Sequence, residues 1–118
     1  MTGYVDVCAL SEIPNGKHRA YTLSGTAILV CRSGNDVFAI ENRCSHLNFP
    51  LKGGRQIGCE IICPHHGARF DFRTGKAVGG PAVDPIQHFE VRIHNDRVEI
   101  RPRIESKSWL RSAEQKDI

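Results

Sequence analysis

Two short stretches carry the residues best suited to chemistry. Cys44-Ser45-His46 and Cys63-Pro64-His65-His66 each present a thiol followed by an imidazole, and sixteen residues, Leu47 to Ile62, separate them. In an extended segment, residues i and i+2 point to the same side, so Cys44 and His46 can aim at one object. An imidazole nitrogen reaches further from the backbone than a cysteine sulfur. A Cys-x-His loop therefore grips two centres at different depths. The Cys-x-x-His loop, stiffened by Pro64, can do the same from the opposite side. Two sulfurs then meet an inner metal and two nitrogens an outer one, the arrangement wanted by an asymmetrically ligated [2Fe–2S] cluster. Two other readings stand beside it. One is a mononuclear Cys2His2 zinc module, although a Cys-x-His pair is less usual for zinc. The other is no metal, with buried cysteines and surface histidines.

Both pairs sit on loops. The first runs Asn42 to Gly54 and the second Pro64 to about Pro85, and together they hold six of the eleven glycines and four of the six prolines. Glycine allows close backbone approach and proline stiffens it, so such loops suit a site. The rest of the chain has a β texture. Strands are predicted at Tyr4–Cys8, His18–Leu23, Thr26–Cys31, Val37–Glu41, Glu60–Cys63, Arg69–Phe72, Phe89–Ile93 and Val98–Arg101. Turn signals at Pro14-Asn15-Gly16, Ser24-Gly25, Ser33–Asp36, Thr74-Gly75 and Asn95-Asp96 separate them. Hairpins are expected around Ser33–Asp36 and Asn95-Asp96. In the latter, Val91 and Ile93 face Val98 and Ile100. No sustained 3.6-residue period occurs before residue 103. The pattern predicts an all-β sandwich or barrel of short antiparallel strands.

Composition bounds the rest. The chain has 118 residues, 40% hydrophobic and 25% charged, enough for one domain and too ordered in composition for disorder. Its longest apolar run is Ala27 to Cys31, too short to span a membrane. The opening residues, MTGYVDVCAL, show no secretory pattern, and five cysteines is an odd count, so a reducing compartment, the cytoplasm, is expected. Net charge is +3. The first 101 residues hold 12 Lys+Arg against 10 Asp+Glu and the last 17 hold 4 against 3, with no basic run for nucleic acid or anionic lipid. Residues 103–118 are polar and read as a tail whose Trp109 either docks on the body, the expected case, or meets a partner.

Cys44-x-His46 followed by Cys63-x-x-His66 resembles the ligand pattern of Rieske [2Fe–2S] proteins. Leu51, Gly53 and Gly58 between the pairs, Gly67-Ala68-Arg69-Phe70-Asp71, Thr74-Gly75-Lys76 and the Gly80-Pro81-Ala82 loop extend the likeness over about residues 4–101. The resemblance implies a Rieske fold: an antiparallel β-sandwich or barrel base over residues 1–102, with a cluster-binding subdomain at about 43–85. It implies one [2Fe–2S] cluster, with Cys44 and Cys63 on the inner iron and His46 and His66 on the outer one. His65 is then a neighbour and not a ligand. Cys8, Cys31 and Cys59 fall outside the motif and are expected to be inert, buried thiols.

Two departures separate the chain from respiratory Rieske proteins. Phe49 and His65 stand where those carry a disulfide between the loops. Ala68 and Phe70 stand where those carry a serine and a tyrosine that donate hydrogen bonds to sulfur. Losing donors disfavours the more negative reduced cluster, so a potential near the low end of the Rieske range, about −150 mV, is expected. The resemblance is therefore to the soluble ferredoxin component of bacterial aromatic-ring-hydroxylating dioxygenase systems. That implies a non-enzymatic one-electron carrier between a flavin-dependent NAD(P)H reductase and a terminal oxygenase with its own Rieske centre. It also implies no small-molecule substrate, nucleic acid or membrane. The small Rieske subunit of a nitrite reductase, or of another oxidoreductase such as arsenite oxidase, is the alternative within the family.

Overall fold

The computed structural model describes residues 3–82 and 84–102. The residue 103–118 segment, with Trp109, lies outside them. Among the described residues ten strands form, and the only helix is a single 3-10 turn at Leu10–Glu12. No helix among them is long and apolar enough to cross a membrane.

Strand β3 (Thr26–Ser33) explains the central architecture. Its residues Ala27 to Cys31 are uninterrupted apolar, where a strand with one wet face would alternate. Both faces are covered. Ile28 and Val30 enter one core with Cys8, Ile13, Phe89, Val98 and Ile100, while Leu29 and Cys31 enter a second with Leu51, Ile61, Phe70 and Phe72. β4 (Asp36–Glu41) splits in the same way, Val37 and Ala39 to the first core and Phe38 and Ile40 to the second. Of the metal-site candidates, Cys44 and Cys63 belong to the second core.

The larger sheet has the order β1-β10-β9-β4-β3-β2, with β1 at Val5–Ala9, β2 at His18–Leu23, β9 at His88–His94 and β10 at Arg97–Arg101. It is a nearly closed barrel. β9 joins its halves, pairing with β4 through His88 and Phe89 and with β10 from Glu90 to His94. Arg32 on β3 reaches across to the carbonyls of Leu10 and Ile13 at 3.4 and 3.1 Å, tying the β1 end to the opposite side. The expected hairpins form: Ser33 pairs with Asp36, Val98 with Ile93 and Ile100 with Val91. Ser24 and Gly25, and Asn95 and Asp96, all have positive φ, the type I′ signature that matches strand twist.

The second sheet has the order β5-β6-β7-β8, with β5 at Arg55–Ile57, β6 at Glu60–Ile62, β7 at Arg69–Asp71 and β8 at Lys76–Gly79. β5 and β8 correct the sequence reading, which left the first unassigned and the second inside a loop. Each is three or four residues long and flanked by glycine, so neither shows a period on its own. They are strands because β6 and β7 offer them ladder partners. β8 also carries a bulge. Arg69 opposes Gly79 and Phe70 opposes Ala77, which leaves Val78 extra and 41% exposed. Phe70 and Phe72 are fully buried and fasten this sheet to the barrel, with the Phe72 ring 5.5 Å from that of Phe38. His18 on β2 adds a polar tie. Its Nε2 accepts from the Gly53 N–H at 3.3 Å, and its Nδ1 lies 3.2 Å from Gln56 Oε1.

Candidate metal centre

The two cysteine loops are the same hydrogen-bonded turn, built twice. The Cys44 N–H donates to the Phe49 carbonyl at 2.8 Å, and the Asn48 N–H donates to the Cys44 carbonyl at 2.7 Å. The Cys63 N–H donates to the Ala68 carbonyl at 2.7 Å, and the Gly67 N–H donates to the Cys63 carbonyl at 3.1 Å. The fourth residue after each cysteine closes its turn in the left-handed region, Asn48 at φ 65° and Gly67 at φ 77°. Those are the residue types that visit it most readily. In this shared frame His46 leaves its turn two residues after the cysteine, and His66 three residues after.

Further bonds hold the first turn. The Asn42 Oδ1 accepts from the Leu51 and Lys52 N–H groups at 2.8 and 3.0 Å, and the Arg43 guanidinium donates to Asn48 Oδ1 at 2.7 Å. The Ser45 hydroxyl donates to the Asp84 carbonyl at 2.6 Å, joining the first turn to the Pro81 loop. That loop also touches the second turn, because a Cβ at Gly80 would lie 2.6 Å from the Gly67 carbonyl oxygen and 2.7 Å from Ala68 Cα.

The four predicted residues come together in two tiers. Cys44 and Cys63 are each 2% exposed, and their sulfurs are within hydrogen-bonding reach of each other. His46 and His66 are exposed above them, their ring centroids 5.3 Å apart and edge-to-face. Burial pushes the Cys44 thiol up. The His46 and Leu47 N–H groups aimed at its sulfur act in the opposite sense, and the neighbouring Cys63 raises it further. Thiols this buried become good ligands when a cation meets the sulfurs. Among the described residues no three His, Cys, Asp or Glu side chains group around one point, so the donors stand as two pairs. Paired sulfurs below paired imidazoles fit the inner and outer irons of an asymmetric [2Fe–2S] cluster. A single zinc would need all four donors on one centre.

The remaining thiols divide. Cys8 and Cys31 are buried, and burial pushes both up, so they have little nucleophilic thiolate. Cys59 departs from expectation. It is only partly buried, with its sulfur 3.9 Å from the Ser33 hydroxyl. Ala68 and Phe70 are fully buried beside the second turn, so no side-chain hydroxyl donates from either position.

Motif reading missed the residues that hold the turns carrying the candidate donors, Asn42, Ser45, Asn48 and Phe49, and the tie His18 makes to Gly53 and Gln56. Asn48 and Gly67 offered a signal, since both lie four residues after a cysteine and both favour left-handed backbone. The other contacts join residues far apart in the chain and leave no spacing rule.

A family model, the Rieske [2Fe–2S] domain, matches residues 3–90. The chain is 34% identical over 97 residues to the ferredoxin component of the naphthalene 1,2-dioxygenase system of Pseudomonas aeruginosa, covering 82% of this chain and 93% of that one. Among solved structures it is similar to the ferredoxin of carbazole 1,9a-dioxygenase from Nocardioides aromaticivorans IC177, with a TM-score of 0.82 at 33% identity, covering 85% of this chain and 98% of the other. It is also similar to a chain in a complex of reduced oxygenase and oxidized ferredoxin in carbazole 1,9a-dioxygenase, with a TM-score of 0.80 at 30% identity over 86% of this chain and 94% of that one. On the strength of the two-tier donor set and these matches, the chain belongs to the Rieske [2Fe–2S] domain family.

Proposed function

We propose that this protein is the ferredoxin component of an aromatic-ring-hydroxylating dioxygenase system, carrying single electrons from a flavin-dependent NAD(P)H reductase to a terminal oxygenase. The observation that carries the reading is the two-tier donor set: two buried thiols in the core beneath two imidazoles at the surface. Cys44 and Cys63 would hold the inner iron and His46 and His66 the outer one, within a cluster-binding subdomain of about residues 43–85 on a 1–102 Rieske domain. A [2Fe–2S] cluster, when bound, takes up and gives back one electron. The chain's own part is to bury the sulfurs, exclude water from them and bring two imidazole edges to the surface where a partner docks. Relatives named as ferredoxin components support the reading, as does the complex of oxygenase and ferredoxin described above. A cytoplasmic location fits five free cysteines.

The deciding experiment combines composition, spectroscopy and turnover. Two irons and two acid-labile sulfides per chain, a reduced-state EPR signal of low average g, reduction by a flavin reductase with NADH and reoxidation by a terminal oxygenase are expected. One zinc in a colourless protein would sink the reading. Reoxidation by a nitrite reductase alone would move the chain to the other branch.

Two further outcomes follow. The Ala68→Ser variant places a donor beside the second turn. A hydrogen bond to a charged group is worth about 1.5–3 kcal/mol, so the potential should rise by roughly 60–120 mV, read by redox titration. An unchanged or lower potential would contradict the donor argument. The second concerns charge. Residues 43–85 hold six Lys/Arg against three Asp/Glu, and the rest of the chain ten against ten, so the whole net +3 resides in the site-bearing segment. This sharpens the sequence picture of a thinly spread charge. Lys52, Arg55 and Lys76 are exposed there and form no ion pair among the described residues. Electron transfer to both partners should slow as ionic strength rises from about 0.01 to 0.15 M, where the screening length falls from about 30 to 8 Å. A rate indifferent to salt would exclude charge-steered docking.

A further inference from the structure

Phe49 and His65 have no place in the ligand set, yet the fold brings them face to face across the two turns. Their ring centroids are 4.3 Å apart with an interplanar angle of 26°, a stacked pair. The Phe49 ring also lies 6.0 Å from the His66 ring, and His66 meets His46 at 5.3 Å. The Phe49 backbone is committed as well, because its carbonyl accepts the Cys44 N–H at 2.8 Å. One residue therefore grips the first turn through its main chain and the second through its side chain.

The repeated turn shows why this pair is special. Ala68 is the counterpart of Phe49 in the second turn, and it is fully buried with no ring to reach across. His65 occupies the place in the second turn that His46 holds in the first, two residues after the cysteine. It supplies a flat face and leaves the next residue, His66, beside His46. Among the described residues no disulfide joins the turns, since all five cysteines are free. Among the described residues, only Phe49 of the exposed large apolar side chains stacks on the opposite turn. Leu47, 52% exposed, makes no such ring contact.

We propose that the Phe49–His65 stack is a non-covalent clasp between the two turns, a positioning device that keeps the His66 imidazole set against His46. The inference rests on the cluster reading above. A stacked aromatic pair contributes enough that its loss accelerates opening by about two- to tenfold. Opening of the turns is the step that lets a chelator reach the metal.

The test uses the cluster-loaded protein and four variants: Phe49→Ala, His65→Ala, the double variant, and Phe49→Tyr as the conservative replacement. Cluster loss to a chelator is followed by visible absorbance, the line width of the reduced EPR signal is recorded, and the thermal midpoint is measured alongside. Phe49→Ala and His65→Ala should each lose the cluster about two- to tenfold faster with broadened EPR lines. The double variant should be no worse than the stronger single one, because both remove one contact. Phe49→Tyr should keep the native rate and line width. Native loss rates in both single variants, or fully additive effects in the double, would overturn the clasp. So would faster loss with unchanged line width and a thermal midpoint lowered in proportion, which is general destabilisation. If Phe49→Ala does not fold, His65→Ala against His65→Phe decides: the clasp requires fast loss in the first and native loss in the second. A wild-type protein with no Rieske signal would fail the cluster reading itself, whereas a normal wild type with indifferent variants fails only the clasp.

Discussion

Replacing His66 or His46 by cysteine is expected to lower the reduction potential by about 100 mV or more in each single variant. A neutral imidazole becomes a thiolate, which adds one negative charge next to a metal that must accept an electron. Rieske centres lie upward of about −150 mV and plant-type all-cysteine centres near −400 mV, so two exchanges span at least about 250 mV. One exchange of about 100 mV corresponds to roughly 2.3 kcal/mol for a one-electron couple. The average g of the reduced EPR signal should move toward the all-cysteine value at the same time. His65→Ala provides the control. It removes the neighbouring imidazole without touching the predicted ligands, so average g should stay native. A His66→Cys variant with native potential, or a His65→Ala variant with a shifted average g, would mean that the second histidine ligand is assigned one residue too late.

Gly80→Ala should be nearly as damaging, for a steric reason. Gly80 has φ 75°, and an added Cβ would lie 2.6 Å from the Gly67 carbonyl oxygen and 2.7 Å from Ala68 Cα. Neither neighbour is a flexible side chain; both are backbone of the second turn. The left-handed conformation alone costs an L-residue about 1–2 kcal/mol, and relieving the clash brings the total to roughly 3 kcal/mol or more. For a domain of this size that is a fall in thermal midpoint of about 10 °C or more. The variant should also broaden the EPR signal, because Gly67 and Ala68 directly follow His66. Gly75→Ala serves as a comparison. Its Cβ would come within 2.0 Å of the Ile86 carbonyl oxygen, at φ 83°, where the second sheet is tied to the start of β9. It should lower the midpoint at least as much while leaving the spectrum of whatever protein folds unchanged. Native stability in Gly80→Ala would mean that the Pro81 loop does not pack on the second turn.

These outcomes separate two kinds of information. The candidate donors were legible because they depend on local chemistry: Cys44, His46, Cys63 and His66 are rare residue types at close spacing, and the structure pairs the two sulfurs and the two imidazole rings. The hairpins at Ser33–Asp36 and Asn95-Asp96 were legible for a similar reason, since turn residues with access to positive φ mark where a strand must reverse. The class of fold followed from strand-like runs of β-branched residues between such turns.

What the chain alone did not reveal depends on which element meets which. β5 and β8 exist because β6 and β7 leave ladder groups to be paired, and three or four residues hold no period by which to announce themselves. The apolar run Ala27 to Cys31 reads as one hydrophobic strand, but only the tertiary structure shows that its alternate residues serve two cores. The charge that looks even along the chain proves concentrated when counted over residues 43–85, which hold six Lys/Arg against three Asp/Glu. Most plainly, Phe49 and His65 are unremarkable at sixteen positions apart. They become a stacked pair because the same turn is built twice and the two copies face each other. Sequence by itself marked the candidate donors and the kind of group they suit. The depth of the sulfurs, the approach of the imidazoles and the contact that holds the turns together were decided by packing, because each requires two distant segments to share one place.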